Sequence, residues 1–496
     1  MRRQELWGIA FLAVLVVFVS AQLLMLQKYR LVVWDEAVYI GLGKYMFSAG
    51  SSGLLEPIRP LGLPLLLGAF WKLGVGGMLA YRILALSFAA AAVIMTYLLG
   101  RQLFGSSAAM FAAALVALSP SFFSSSAMVL TDISSVAFSL AAVYMLVKGR
   151  YILSGLFGSA AFLFRFPHLL IMVAIAIAII VNGKGKKAAF ASLLRFCAPF
   201  LAVVAAVLAY NFLLYWQVYG LSAPFAPFFA AASHQGNAAY SISISGFAGN
   251  ISFYFVELAR QSLLLLFFIP GLLFALGKRA KAGGHSASGL LAVAVAAVVY
   301  IAYFTAIANK QPRFLIAFLP FAALLAAFWA KEAFSFVKKL GTAPKLVFAL
   351  VFSFLVVFSA AAAVKENYGY YNSLSSAEPA VVGVYRYFSN TSGTSATASI
   401  ILTTDPVFAA YSDSLFIPYY DNPDVALEAY DKYSSEASYV VYTPHFFPCD
   451  KFGEECEAKK QLLFGRISSG SRLVLNKTVD GRQYYAFVPA FNTTSE

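Results

Sequence analysis

Charge is scarce in this chain. Only 12% of its 496 residues are Asp, Glu, Lys or Arg, and 61% are hydrophobic. Soluble domains carry about a quarter charged residues, so a soluble globular protein is excluded. Cysteine is scarcer still, at three residues, which excludes a disulfide-built scaffold. The four histidines are scattered, with His168 and His234 far apart and no pair at metal-ligand spacing, so no dedicated zinc site is legible. No Walker loop, GxSxG elbow or GxGxxG turn stands between a strand and a helix. No internal repeat or low-complexity tract is present. The first apolar run lacks a small-residue cleavage site after it and reads as a retained span.

What the chain has instead is long apolar runs separated by short basic loops. A spanning helix needs about 20 apolar residues, so the length allows about ten crossings. The formal net charge of +14 raises the question of nucleic acid. The basic residues cluster between apolar runs, however, and so report membrane topology and contact with anionic headgroups; no nucleic-acid partner is expected. Arg2 and Arg3 place the N-terminus in the cytoplasm. The first span is Trp7 to Leu26, followed by a loop to Met78 holding a short interfacial stretch, Leu63 to Trp71. Further spans begin near Leu79, Ala108, Met128, Tyr151, Leu169, Ala188, Ser262, Leu290, Phe314 and Leu346. That gives about eleven, with basic clusters on the inner side. The expected fold is therefore an all-α polytopic membrane domain over 1–364, whose first outer loop is 27–78. A small extracytoplasmic α/β domain follows over 365–496.

That tail is polar and rich in Tyr and Ser. Short β-rich runs, such as Ser399 to Leu402 and Tyr439 to Tyr442, alternate with helical patterns such as Asp424 to Tyr433. Asn250, Asn390, Asn476 and Asn492 each begin an N-x-S/T sequon on the expected outer face. Cys449 and Cys456 pair if the tail faces an oxidising space; two free thiols is the equal alternative.

Acidic residues are rare before the tail, which makes their positions informative. Asp35 and Glu36 emerge directly after the first span, and Glu56, Asp132 and Glu257 fall on the same expected face. An ionisable group in a membrane segment costs about 2.5–3.5 kcal/mol on insertion scales, so function is the default reading. For Asp132 a helix cap at Thr131-Asp132 competes equally. Cations on that face, Lys44, Arg59, Arg82, Arg165, Lys310 and Arg313, run against the topology bias. A guanidinium at Arg165 or Arg313 suits a phosphodiester, against the alternative of snorkelling to headgroups.

Five stretches in order resemble a known superfamily. They are Trp34-Asp35-Glu36-Ala37-Val38-Tyr39, Arg59-Pro60-Leu61-Gly62-Leu63-Pro64, Leu118-Ser119-Pro120 with Leu130-Thr131-Asp132, Gly155 to Arg165, and Gln311-Pro312-Arg313-Phe314. Together they span the first two thirds of the chain. Their order and shared sidedness are similar to those of the GT-C membrane glycosyltransferases, in particular the protein O-mannosyltransferase and aminoarabinose transferase group. The resemblance implies a sugar, mannose-like first, carried on polyprenyl or dolichyl phosphate. It passes with inversion to a protein or glycolipid acceptor at the outer face of the cell membrane. Asp35 matches the general base, Glu36 its acidic partner, and Asp132 the second-loop acid. Arg165 and Arg313 match positions that hold the donor phosphate, and Arg59 is counted with them. Glu56 matches an acid that binds a divalent metal in some relatives. The tail lacks a Trp-Trp-Asp block, which disfavours an oligosaccharyltransferase. The competing class is a transporter or flippase of a lipid-linked sugar. It ranks second because no inverted repeat is apparent and the acids gather on one face. A non-catalytic receptor is third.

Overall fold

The computed structural model describes residues 3–490 other than 30, 184, 228–246, 280–283, 308, 375–379, 392–398, 420–422, 447–448 and 450–453. His234 and Asn492 lie outside the described residues. The chain forms two compact units, neither continuous in sequence. One joins Met1–Leu26 to Arg82–Leu374, and the other joins Gln27–Tyr81 to Ser375–Glu496. The first loop thus groups with the tail.

The first unit is helical because its apolar runs have no other way to satisfy their backbone in hydrocarbon. Its helices begin with α1 (Arg3–Leu26), continue with α4 (Met78–Phe104), α5 (Ser106–Leu118), α6 (Pro120–Ser125), α7 (Thr131–Val147), α8 (Tyr151–Phe164), α9 (Leu169–Asn182) and α10 (Lys186–Tyr219), and end with Thr342–Ser373. Among the described residues, six helices are long and apolar enough to cross a membrane: Glu5–Leu26, Met78–Phe104, Lys186–Trp216, Gly284–Ala306, Leu319–Val337 and Thr342–Ser373. Five shorter apolar helices accompany them. This is a multi-pass membrane protein. The helices divide by burial. Gly284–Ala306 buries 61% of its most apolar window within the protein, whereas Lys186–Trp216 buries 6% and turns its side chains outward. Asn250 begins a sequon but sits buried in the helix Phe247–Gln261, where its amide donates to the Thr305 and Ile307 carbonyls at 3.0 Å.

The second unit is built on a six-stranded sheet ordered β1-β3-β2-β4-β6-β5. The strands are β1 (Gly53–Leu54), β2 (Ile400–Thr403), β3 (Leu415–Pro418), β4 (Tyr439–Tyr442), β5 (Ser471–Val479) and β6 (Arg482–Pro489). β1, β3, β2 and β4 run parallel, and β6 and β5 close the far side antiparallel. β1 comes from the first loop and pairs Gly53 with Leu415, so the loop is an edge of the tail's own sheet. Lys44 reinforces that join. Its buried ammonium donates to the Ala409 and Ser412 carbonyls at 3.1 and 2.9 Å and meets the Asp413 carboxylate at 3.0 Å. Burial pushes the Lys44 pKa down, and Asp413 opposes that shift. Trp71 Nε1 donates to the same Asp413 carboxylate.

Two helices of the first loop pack on each other through glycine: α2 (Trp34–Phe47) and α3 (Gly62–Lys72). α3 covers the interfacial stretch read from the sequence. α2 falls where only loop was read, because its glycines interrupt any apolar periodicity. A β-carbon at Gly43 would stand 2.7 Å from the Pro64 carbonyl oxygen, and one at Gly68 would stand 2.3 Å from that of Gly43. The backbones touch only because neither residue has a side chain. Gly68→Val is expected to lower the apparent melting temperature of the detergent-solubilised protein by the equivalent of about 1–3 kcal/mol. An unchanged melting temperature would show that the helices part without cost.

Asp405 ends the turn after β2, fully buried, and its carboxylate accepts from the Val407 N–H at 2.9 Å. Burial raises its pKa to about 7, more than the Val407 N–H, the Tyr385 hydroxyl and Arg482 pull it back. From about pH 4 to about 7 the folded chain therefore holds a proton that the unfolded chain has released, and stability falls as pH rises through that window. The apparent melting temperature of wild type should drop across this range relative to Asp405→Asn. Parallel curves for the two proteins would show that Asp405 does not titrate there.

Candidate active site

The carboxylates expected to do chemistry divide between the two units, and each set is held by an arginine. In the second unit, α2 begins at Trp34, so Asp35 and Glu36 fall in its first turn, where the helix dipole favours negative charge. Glu36 turns inward and is 1% exposed. Its carboxylate accepts the Val33 N–H at 2.9 Å, which satisfies a backbone group at the helix start. Asp35 instead meets Arg59, with Nη1 at 3.0 Å from its carboxylate. Arg59 Nε donates to Glu56 at 2.6 Å, and its guanidinium lies 5.6 Å from the Tyr39 ring centroid. One cation thus draws two carboxylates together. Burial works against the charge on Arg59, but Glu56, Tyr39 and Asp35 outweigh it and raise its pKa further. Arg59, expected at the donor phosphate, is committed in this structure to Asp35 and Glu56.

In the first unit, Asp132 lies in the first turn of α7 with no side-chain cap at that terminus. Asp132 pairs with Arg165 at 2.9 Å, and Arg165 Nη1 also reaches the Thr131 hydroxyl at 3.4 Å. The second Asp132 oxygen is buried and has no hydrogen-bond partner among the described residues. Arg165 follows α8 in extended conformation, which frees its side chain from the helix and turns it to α7. Arg313 lies in the short 3-10 turn Pro312–Ala317 and donates to the Gln311 side chain at 2.6 Å. The Phe314 ring gathers both cations, with Arg165 5.6 Å and Arg313 6.0 Å from its centroid.

One residue of this set escapes a reading of the sequence. His168, three residues after Arg165, is fully buried. Its Nδ1 meets the Ser139 hydroxyl on α7 at 2.7 Å and the Tyr300 hydroxyl at 2.9 Å. Its backbone N–H donates to the Arg165 carbonyl at 2.9 Å. The turn that carries Arg165 is thereby fastened to α7 two helical turns beyond Asp132. The signal available was a lone histidine within an apolar stretch beside an arginine. Among the described residues no three His, Cys, Asp or Glu side chains come together as a metal site. Glu56, expected at a metal, is engaged by Arg59, and no step below passes through a metal.

Residues 58–216 match the family described as dolichyl-phosphate-mannose-protein mannosyltransferase, a stretch that includes Arg59, Asp132 and Arg165. Among solved structures, ArnT from Cupriavidus metallidurans, bound to undecaprenyl phosphate, is similar with a TM-score of 0.62 at 14% identity, covering 97% of this chain and 98% of that one. The archaeal oligosaccharyltransferase AglB from Archaeoglobus fulgidus is similar with a TM-score of 0.57 at 13% identity, covering 96% and 74%. The arabinofuranosyltransferase AftD from Mycobacteria gives 0.54 at 14%, covering 96% and 40%. No curated protein sequence matches the chain. The chain thus shares its fold with ArnT, AglB and AftD, and its stretch 58–216 is similar to the mannosyltransferase family.

The Asp132–Arg165 pair is largely buried, so removing one partner strands the other. In a double-mutant cycle of Asp132→Asn and Arg165→Gln, the two changes should be non-additive in melting temperature, with a coupling of about 1–3 kcal/mol. Additive losses would mean that the pair carries no mutual stabilisation.

Proposed function

We propose that the enzyme transfers a sugar, a mannose-like hexose, from a polyprenyl or dolichyl phosphate to a hydroxyl of a protein or glycolipid acceptor, with inversion. On this reading the N-terminus is cytoplasmic and the reaction occurs at the outer face of the cell membrane. The observation that carries the proposal is the Asp35–Arg59–Glu56 triad, directly after the first span, with Arg59 inside the matched stretch. The undecaprenyl phosphate bound by the similar ArnT supports the lipid-phosphate donor.

Asp35 is the general base. Its pairing with Arg59 fixes the direction of the carboxylate, and it takes the proton of the acceptor hydroxyl as the oxygen attacks the anomeric carbon. The bond from that carbon to the phosphate oxygen breaks, through an oxocarbenium-like state as in glycoside hydrolysis. Negative charge grows on the departing phosphate, and Arg165 and Arg313 are the cations assigned to it. Arg165 exchanges part of its interaction with Asp132 for the donor phosphate. Glu36 positions the helix that carries Asp35 and does not touch substrate. Arg59 holds Asp35, and its part in donor binding is subordinate.

General-base catalysis contributes about 10²–10⁴-fold, so Asp35→Asn should lose about that much turnover. The assay is transfer of radiolabelled mannose from polyprenyl phosphate by purified protein, with melting temperature as the folding control. Near-normal transfer by a folded Asp35→Asn protein would remove Asp35 from this role.

A further inference from the structure

The second unit holds an arrangement that the donor chemistry above does not use. In its sheet the chain leaves β2 toward β3 on one side and leaves β4 toward β6 and β5 on the other. β2 and β4 are parallel neighbours whose connections leave in opposite directions, so their carboxyl ends form a topological switch point. Parallel sheets bind ligands at such a switch point, because the diverging connections leave the strand ends uncovered.

The residues beyond these strand ends are of a particular kind. Thr404 follows β2 and Thr443 follows β4. Both are fully buried, and their hydroxyls meet at 3.1 Å, while the Thr443 N–H donates to Thr404 Oγ1 at 2.7 Å. Two residues on from Thr443, the chain turns out and presents aromatic rings. His445 is exposed, and Phe446 and Trp34 are half-buried. His445 and Phe446 lie 4.2 Å apart between centroids, Phe446 lies 4.9 Å from Trp34, and His445 lies 5.5 Å from Tyr484. Trp34 immediately precedes Asp35. The disulfide Cys449–Cys456 ties the segment after Phe446 to the start of the helix Glu454–Gly470. Partial shielding of the ring and the nearby Arg482 lower the His445 pKa to about 4, so its imidazole is neutral near pH 7.

We propose that Trp34, His445 and Phe446 form the acceptor subsite, and that it takes a sugar ring. The inference rests on the glycosyltransferase reading given above and extends it to the acceptor. A pyranose has one face of C–H bonds and a rim of hydroxyls. The Trp34 and Phe446 rings supply apolar surface for the first, and the neutral imidazole of His445 exchanges hydrogen bonds with the second. An extended peptide would seek a free strand edge, and β2 and β4 have neighbours on both sides. The ring also sits next in sequence to Asp35, the group that must reach its hydroxyl.

The test is saturation-transfer NMR on the full-length protein in detergent, with α-1,2-mannobiose and a Ser/Thr-containing hexapeptide as probes. The expected result is transfer to the C–H protons of the mannobiose, reduced at least fivefold in Phe446→Ala and in His445→Ala, with no comparable signal from the peptide. In the transfer assay the acceptor KM should rise about tenfold in both variants, with the donor KM held. A Phe446-dependent signal from the peptide alone would overturn the sugar assignment. Signals equal in wild type and both variants, or absent from wild type, would overturn the subsite. Loss of catalysis in Asp35→Asn with unchanged probe binding in Phe446→Ala would sink this inference and leave the catalytic reading intact. Full transfer by Asp35→Asn with the Phe446 effects present would do the reverse.

Discussion

A buried ammonium joins two parts of the chain that are far apart in sequence. Lys44 lies on α2, nine residues after Asp35, and is sealed by two tail carbonyls and Asp413. A lysine taken out of water keeps its charge only if its donors are met, and here they are met by groups of the tail. The strand β1, one residue after Ser52, continues the same join by backbone hydrogen bonds. This fastening ties the helix that carries Asp35 to the tail's sheet, while α2 and α3 also bury Val38, Ile40, Leu42, Leu63 and Leu67. Their glycine contact brings backbones close, and the sheet and Lys44 hold them there.

The two arginine-centred clusters obey one rule with different parts. A carboxylate at the first turn of a helix faces a guanidinium delivered by a turn: Asp35 with Arg59, and Asp132 with Arg165. The supports differ. Arg59 is shared with a second carboxylate and rests on Tyr39, whereas the turn bearing Arg165 is fastened by His168 to Ser139 and Tyr300.

The apolar helices were readable from the sequence because a bilayer requires long uninterrupted runs, and the basic loops mark their ends. The interfacial stretch at Leu63–Trp71 was readable for the same reason. α2 was hidden by Gly41 and Gly43, which serve packing and dilute the pattern. β1 is two residues long, and β3 has no alternation, so neither leaves a trace in composition. At the site, Asp35, Asp132 and Arg165 stand out because charge beside an apolar run is costly. What spacing cannot convey is pairing. That Arg59 answers Asp35 and that Glu36 serves its own helix terminus are settled by the fold of the first loop, and that Phe446 meets Trp34 depends on the tail lying beside it.

The discontinuity of the second unit has a consequence for how the protein is made. Gly53 leaves the ribosome long before Leu415, its partner in the sheet. Every intervening helix must be inserted before β1 finds a neighbour, and such distant pairing forms late. Until then Lys44 lacks its carbonyls and the helix bearing Asp35 has no anchor. A chain that stalls or is cut short during insertion therefore has its hydrophobic helices in the membrane but not an assembled triad. The sheet that holds the first loop is therefore completed only after the strands of the tail have been made, so the loop and the tail mature together.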